Sequence, residues 1–251
     1  MTTIGIYSFP KSGNTWLRSI FAGLFDNNIV AVPDLHRDKL EDAEFKNGVR
    51  LYKWHGDKPL LVHAKTDFVT DSFIHIRRNP LDVFISYLNY VSGNVVGKNV
   101  FNFPSVEDIV GTDLFDIYFH TFIHSGHIDP LKWANVTGTY YDHNAYWVDR
   151  AAKSPKVIAI RYEDMISDPV RTLGFLTGML GLSLAEIEAL VRNAATLTER
   201  DGKFFWKQKV GNFLEYLTPA QIDLFLKYRL TDITPFGYDA DFWARIRSNP
   251  S

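Results

Sequence analysis

Ser8-Phe-Pro-Lys-Ser-Gly-Asn-Thr-Trp16 sets a lysine and a glycine in a polar turn. The turn lies between an apolar run, Ile4 to Phe9, and a segment of helical periodicity from Thr15 to Phe25. A strand, loop, helix unit of this kind gathers loop amides and the helix N-terminus around one concave anion site, and Lys11 adds a full positive charge. It is not a Walker A loop, because G-x-x-x-x-G-K-[ST] requires glycine and lysine in an order absent here. Taken alone, the same residues also make an ordinary strand-to-helix turn.

A second group is Arg78-Asn-Pro-Leu-Asp-Val-Phe-Ile-Ser86. Ser72 to Ile76 reads as a buried strand, after which Asn79 caps a helix with Pro80 in its first turn and Asp82 near its positive end, running to about Tyr90. Arg78 then sits at the strand's end and Ser86 about two turns into the helix, so a guanidinium and a hydroxyl can grip one phosphate from two sides. A surface ion pair for Arg78 is the plainer alternative. Two further groups, Arg161-Tyr-Glu-Asp-Met165 after the strand Val157 to Ile160, and Trp206-Lys-Gln-Lys-Val-Gly-Asn-Phe213 running on to Thr218, say little singly.

In this order and at these spacings the four groups resemble the sulfotransferases that use 3′-phosphoadenosine-5′-phosphosulfate (PAPS). Ser8 to Trp16 is similar to that family's 5′-phosphosulfate loop, Arg78 to Ser86 to its 3′-phosphate motif, and Tyr162 to Met165 to its Y-E-D-M segment. The resemblance implies a P-loop-like, three-layer α/β fold with a central parallel sheet flanked by helices. It also implies transfer of a sulfuryl group from PAPS to a hydroxyl or amine, release of adenosine 3′,5′-bisphosphate (PAP), and no metal requirement. On the matching positions, the donor would be held by the loop from Pro10 through Lys11, Ser12, Gly13, Asn14 and Thr15 to Trp16, and by Arg78, Ser86 and Tyr162. Ser12 would orient Lys11, and Trp16 and Tyr162 would contact the adenine.

The family also carries a catalytic histidine in a K-T-H element upstream of the 3′-phosphate arginine. Lys53-Trp-His55 and Lys65-Thr-Asp67 compete for that place. The spacing from Arg78 favours His55 as general base with Lys53 at the sulfuryl oxygens, and Asp67 is the alternative. A histidine in a surface turn beside Gly56 would look the same in sequence. His63 and His75 lie on apolar stretches and read as satisfied core histidines.

Some family features are altered. The late R-K-G-x-x-G-x-W element has lost its arginine, so Lys207 or Lys209, ahead of Gly211, would have to serve the 3′-phosphate. Asn193 to Leu197 offers no phenylalanine for the adenine, and Leu214 and Pro219 break a dimer motif, which leaves the oligomeric state open. In the run His120 to His127, His120 and His124 have H-x-x-x-H spacing, but no glutamate follows as in H-E-x-x-H, and the aromatic neighbours fit an acceptor pocket better than a metal site.

These residues need a scaffold, and 251 residues with 46% hydrophobic content suffice for one, read as a single sulfotransferase domain over 1–251. Strands alternating with helices favour a parallel sheet. The short runs Arg50 to Trp54 and Leu60 to Ala64 are further strand candidates, and Asp168-Pro169 opens a helix. Ser183 with Glu186 and Thr218 with Gln221 form capping boxes that make the last third helical. The irregular stretch Val91 to Thr139 is too long for a structureless connection, and with Phe204 and Phe205 it is where acceptor specificity would lie.

A net charge of −2 gives no global field for nucleic acid or an anionic membrane. The absence of cysteine excludes disulfides, thiolate metal sites and a cysteine nucleophile. With neither a signal-like start nor ~18 uninterrupted apolar residues, the expectation is a cytoplasmic protein without a membrane anchor. Its partner would be a small-molecule, carbohydrate or lipid-linked acceptor. The rival readings are an ATP-dependent small-molecule kinase and a non-catalytic nucleotide-binding module.

Overall fold

The computed structural model describes residues 2–59, 69–92, 103–127, 134–200 and 209–248. Its centre is one five-stranded sheet. β1 (Thr2–Tyr7) lies in the middle, with β3 (Val49–Trp54) on one side and β4 (Ser72–Arg77) and then β5 (Val157–Arg161) on the other. These four strands are parallel, and the two-residue β2 (Phe45–Lys46) closes the β3 edge in the antiparallel sense. The parallel sheet read from the motif order is therefore present, and the strand candidate Leu60 to Ala64 falls outside the described residues.

Side chains of β1 alternate between two cores, as a pleated strand demands. Ile4 and Ile6 join Leu17, Ile20 and Phe21 of α1 (Asn14–Ala22) in one buried cluster. Tyr7 faces the opposite cluster with Tyr52, Phe73 and Trp147, the last from α5 (Tyr140–Lys153). Helices thus cover both faces, which is why the parallel strands can be apolar on both. A third cluster joins α2 (Pro80–Val91), α3 (Asp113–Ser125) and the C-terminal helices α10 (Pro219–Ile233) and α11 (Ala240–Ser248). The irregular 91–139 stretch accordingly contains a full helix, α3. Short α4 (Ala134–Thr137) precedes α5.

Several helix starts follow their sequence signals. Asn79 accepts the Asp82 amide with Pro80 in the first turn, Asp168 accepts the Arg171 amide ahead of α7 (Pro169–Thr172), and Thr218 and Gln221 cap each other reciprocally. Ser183 and Glu186 are hydrogen-bonded across the first turn of α9 (Leu184–Arg200).

Parallel strands end on one side. Tyr7 is level with Trp54 and with His75, and Arg77 with Arg161. The residues that follow, Ser8, His55, Arg78 and Tyr162, therefore emerge along a single edge of the sheet. That carboxyl edge, where β1 is flanked by strands reached in opposite directions, is where open α/β sheets bind ligands. The register alone brings three of the four sequence motifs together.

Candidate functional site

A cavity of about 510 Å³ opens at this edge, and its wall includes Lys11, Lys53, His55, Arg78, Ser86 and Tyr162. Pro10, Gly13, Asn14, Thr15 and Trp16 line it as well. Ser12 does not: it is fully buried, its hydroxyl has no hydrogen-bond partner, and so it does not orient Lys11 in this structure. His75 departs from its expected role too. It is wholly buried and stacked on Trp147, with ring centroids 5.8 Å apart, but neither ring nitrogen is partnered, so it is a core histidine and not a satisfied one.

The loop after β1 is built to receive an anion. Gly13 is the N-cap of α1 at φ 98 and, having no side chain, gives the first turn no side-chain cap; the Trp16 amide bonds to its carbonyl, and no acidic residue occupies that turn. A Cβ at this glycine would stand 2.3 Å from the Tyr162 ring, so the loop and the β5 end close onto each other only with glycine here. Lys11 itself is held at φ 69, a left-handed conformation costly for a lysine and concentrated at functional loops. Burial, then the neighbouring charges of Arg78 and Lys53, lower its pKa to about 8. Of the three neighbouring cations, Lys53 has Asp34 and Arg78 has Asp82 within ion-pair distance, which leaves a net positive charge at this edge.

Arg78 is braced from four directions. Its carbonyl accepts from the Tyr140 hydroxyl at 2.7 Å, and its guanidinium donates to the Lys209 carbonyl at 2.9 Å. The guanidinium also lies 3.7 Å from Asp82 and 4.4 Å from the Tyr162 ring centre. Its Nε is buried and unpartnered, a donor left over for a ligand. Asp82 has a task that its sequence position did not reveal: its two oxygens accept the amides of Gly211 and Phe213 at 2.9 and 3.0 Å, pinning the C-terminal segment beside Arg78. Lys209 and Gly211 are not on the cavity wall and reach the site through their backbones. The Lys209 ammonium instead meets Glu215 at 3.2 Å, and Lys207 lies outside the described residues.

His55, on the same cavity wall, has its Nδ1 2.7 Å from the carbonyl oxygen of Ser8. A carbonyl can only accept, so Nδ1 carries the proton and Nε2 keeps its lone pair. The Ser8 hydroxyl sits 3.2 Å from the same nitrogen and accepts from Asn14 Nδ2 at 3.0 Å, tying the ring to the anion loop. Burial and the nearby Lys53 charge hold His55 well below its usual pKa, so it is a neutral base at physiological pH.

Lys53 is also pulled down, to about 8, chiefly by burial, although Asp34 opposes this. Asp34 comes from a turn docked on the end of β3 and bonds to Lys53 at 2.7 Å. The alternative base Asp67 and its Lys65 lie outside the described residues, as does His63.

His120, His124 and His127 do not converge. Among the described residues no group of three metal-ligating side chains forms. His127 bonds to the Gly138 carbonyl in the interior, and the His124 ring faces Tyr228.

A cation-rich cavity at the carboxyl edge of a parallel sheet, with a helix lacking a side-chain cap pointing into it, defines an α/β protein that holds a phosphorylated ligand. The sulfotransferase domain model matches residues 2–229, and the chain belongs to that family. It is 24% identical over 262 residues to sulfotransferase 2A1 of Macaca fascicularis, covering 91% of this chain and 84% of the relative. With cytosolic sulfotransferase 1 of Danio rerio it shares 26% over 256 residues, covering 88% and 79% respectively. In fold it is similar to mouse sulfotransferase SULT7A1 complexed with PAP, with a TM-score of 0.66 at 22% identity, covering 92% of this chain and 84% of that one. A retinol dehydratase bound to androsterone and PAP gives 0.58 at 13% identity, covering 92% and 80%. The chain is a sulfotransferase of P-loop-like α/β fold. Among the described residues no helix is long and apolar enough to cross a membrane.

Proposed function

We propose that one donor nucleotide spans the cavity from Lys11 to Arg78, and that His55 activates the acceptor. The observation that carries this reading is His55 Nδ1 locked on the Ser8 carbonyl at 2.7 Å, in a ring that lines the same cavity as Lys11. PAPS supplies the transferable sulfuryl group and its 5′-phosphate leaving group. The residues present fit it: the unpartnered Nε of Arg78 with Ser86 suits the 3′-phosphate, and the first turn of α1, without a side-chain cap, suits the phosphosulfate together with Lys11. Trp16 and Tyr162 line the same cavity, and their rings suit the adenine.

In this scheme His55 Nε2 takes the acceptor's proton, and the Lys11 ammonium stabilises the charge that grows on the leaving oxygen. Lys53, fixed by Asp34, lends positive potential to the sulfuryl end. Binding energy from the remote 3′-phosphate positions the sulfur, so its loss should lower turnover as well as affinity. No step needs a metal. A kinase reading would require a free carboxylate for magnesium, and the acidic side chain on the described cavity wall, Asp34, is engaged by Lys53. The chain would act as a single domain in the cytoplasm on a small-molecule, carbohydrate or lipid-linked acceptor, in keeping with relatives named cytosolic sulfotransferases.

The test is transfer from sulfur-labelled PAPS across a panel of hydroxyl and amine acceptors. His55→Ala should lower it by ~10²-fold or more while PAP binding persists. Near-normal transfer would remove His55 from the mechanism and direct attention to Asp67. Tight PAP binding without any transfer by the wild type would mark a non-catalytic module.

A further inference from the structure

The ammonium of Lys11 lies 4.7 Å from the centre of the Tyr90 ring. Tyr90 stands four residues after Ser86 on α2, so the same helix face presents the phosphate-side hydroxyl and this ring to the cavity, and both line it. No mechanism step described above uses Tyr90, and none of the sequence motifs includes it.

The groups that face Lys11 explain why a ring matters. Burial disfavours its charge most, and Arg78 at the end of β4 and Lys53 on β3 add to this by repulsion. From α2 come only the neutral Ser86, Tyr87 and Tyr90; beyond Lys53 lie neutral His55 and Asp34, whose charge is spent on Lys53. A carboxylate in the place of Tyr90 would hold the ammonium charged, but as an ion pair that competes with the donor. An aromatic face attracts a cation more weakly and leaves its N–H donors free.

We infer that Tyr90 is the positioning residue of Lys11, keeping its ammonium protonated and aimed into the cavity through the face of its ring until the donor arrives. This inference rests on the reading of Lys11 as a donor-binding group. It predicts that the ring, not the hydroxyl, is what counts, and that the effect depends on pH. Donor phosphates bind the protonated lysine, so affinity falls as pH rises through the pKa of about 8. Without the ring that fall starts at lower pH.

The experiment is calorimetric titration of PAP into the wild type, Tyr90→Phe and Tyr90→Leu between pH 6.5 and 9. Expected are equal affinities within about twofold at pH 6.5, where Lys11 is charged in all three, and at pH 8.5 a roughly fivefold weaker Tyr90→Leu. Tyr90→Phe should keep the wild-type profile. A uniform loss at every pH in Tyr90→Leu would be a packing effect and overturn the inference, as would three superimposable profiles or a Phe variant that behaves like Leu. PAP affinity of the wild type that does not change with pH would instead strike at the role given to Lys11, and no binding at all at the donor-site reading itself.

Discussion

Lys53 donates to Asp34 at 2.7 Å where both side chains are almost withdrawn from solvent, 8% and 12% exposed. Burial pushes the Asp34 carboxyl up, and the Lys53 charge, the hydrogen bond from Lys53 and the backbone bond from His36 outweigh it and hold it low. The pair fixes the 34–38 turn against β3 one residue from Trp54 and two from the proposed base. Removing one partner of such a pair costs ~3–5 kcal/mol, because the other charge is left buried alone.

Asp34→Asn should therefore destabilise the protein by several kcal/mol at pH 7 and by clearly less at pH 9. The sign follows from Lys53: its folded pKa lies below that of the unfolded chain and drops further without Asp34, so the unfolded state binds the extra proton and stability falls as pH falls. Urea midpoints at the two pH values check this. Equal losses at both would show that Lys53 is not strained by burial.

Lys209→Ala should leave PAP affinity within about threefold of the wild type. Its carbonyl, which survives the substitution, is what holds Arg78, and an exposed lysine–glutamate pair contributes little. Asp82→Asn should cost more than tenfold in the same titration, since one oxygen can no longer accept from the pinned amides and the segment beside Arg78 is released. The reverse order of effects would place the Lys209 ammonium on the 3′-phosphate.

Gly13→Ala combines a left-handed backbone with a Cβ inside the Tyr162 ring contact. It should lower stability by more than ~1 kcal/mol and abolish measurable PAP binding, because neither backbone strain nor overlap is relieved without opening the loop. A melting curve and a titration of the same sample suffice. Wild-type values in both would mean that the loop is loose.

Acid should unfold the protein early. Burial holds His55 and His75 well below the usual histidine range and His143 at about 4, whereas the unfolded chain titrates them near 6.5. Their contribution is complete above pH 6.5 and is lost as pH falls toward 4, at up to ~1.4 kcal/mol per pH unit for each histidine. His75→Phe should flatten the slope of stability between pH 6.5 and 5 by up to ~1.4 kcal/mol per pH unit. An unchanged slope would assign the acid sensitivity to carboxylates instead.

What sequence revealed was local. Asn79-Pro80, Thr218 with Gln221, and the turn after Ile4 to Phe9 speak through neighbours a few residues away, and each formed where it was read, although β1 ends at Tyr7 and α1 gives way to a 3₁₀ turn at Gly23. Family spacing brought out Lys11, His55, Arg78, Ser86 and Tyr162, all on one cavity wall. The missed contributions are tertiary. Asp34 meets Lys53 across 19 residues, Asp82 meets Gly211 across 129, and the Lys11–Tyr90 contact joins a loop to the far end of a helix, so no periodicity or motif announces them. Ser12 and His75 went the other way: their surroundings, not their types, leave their polar atoms unpartnered.

In the proposed complex Lys11 and Arg78 hold opposite ends of a doubly phosphorylated nucleotide. The most direct measurement is the affinity of PAP relative to adenosine 5′-monophosphate, by titration calorimetry, in the wild type and in Arg78→Ala. PAP should bind the wild type at least ~10-fold more tightly, as expected of a charge-assisted contact to the extra phosphate, and Arg78→Ala should erase that preference. Equal affinities for the two nucleotides in the wild type, or a preference that survives in Arg78→Ala, would contradict the account.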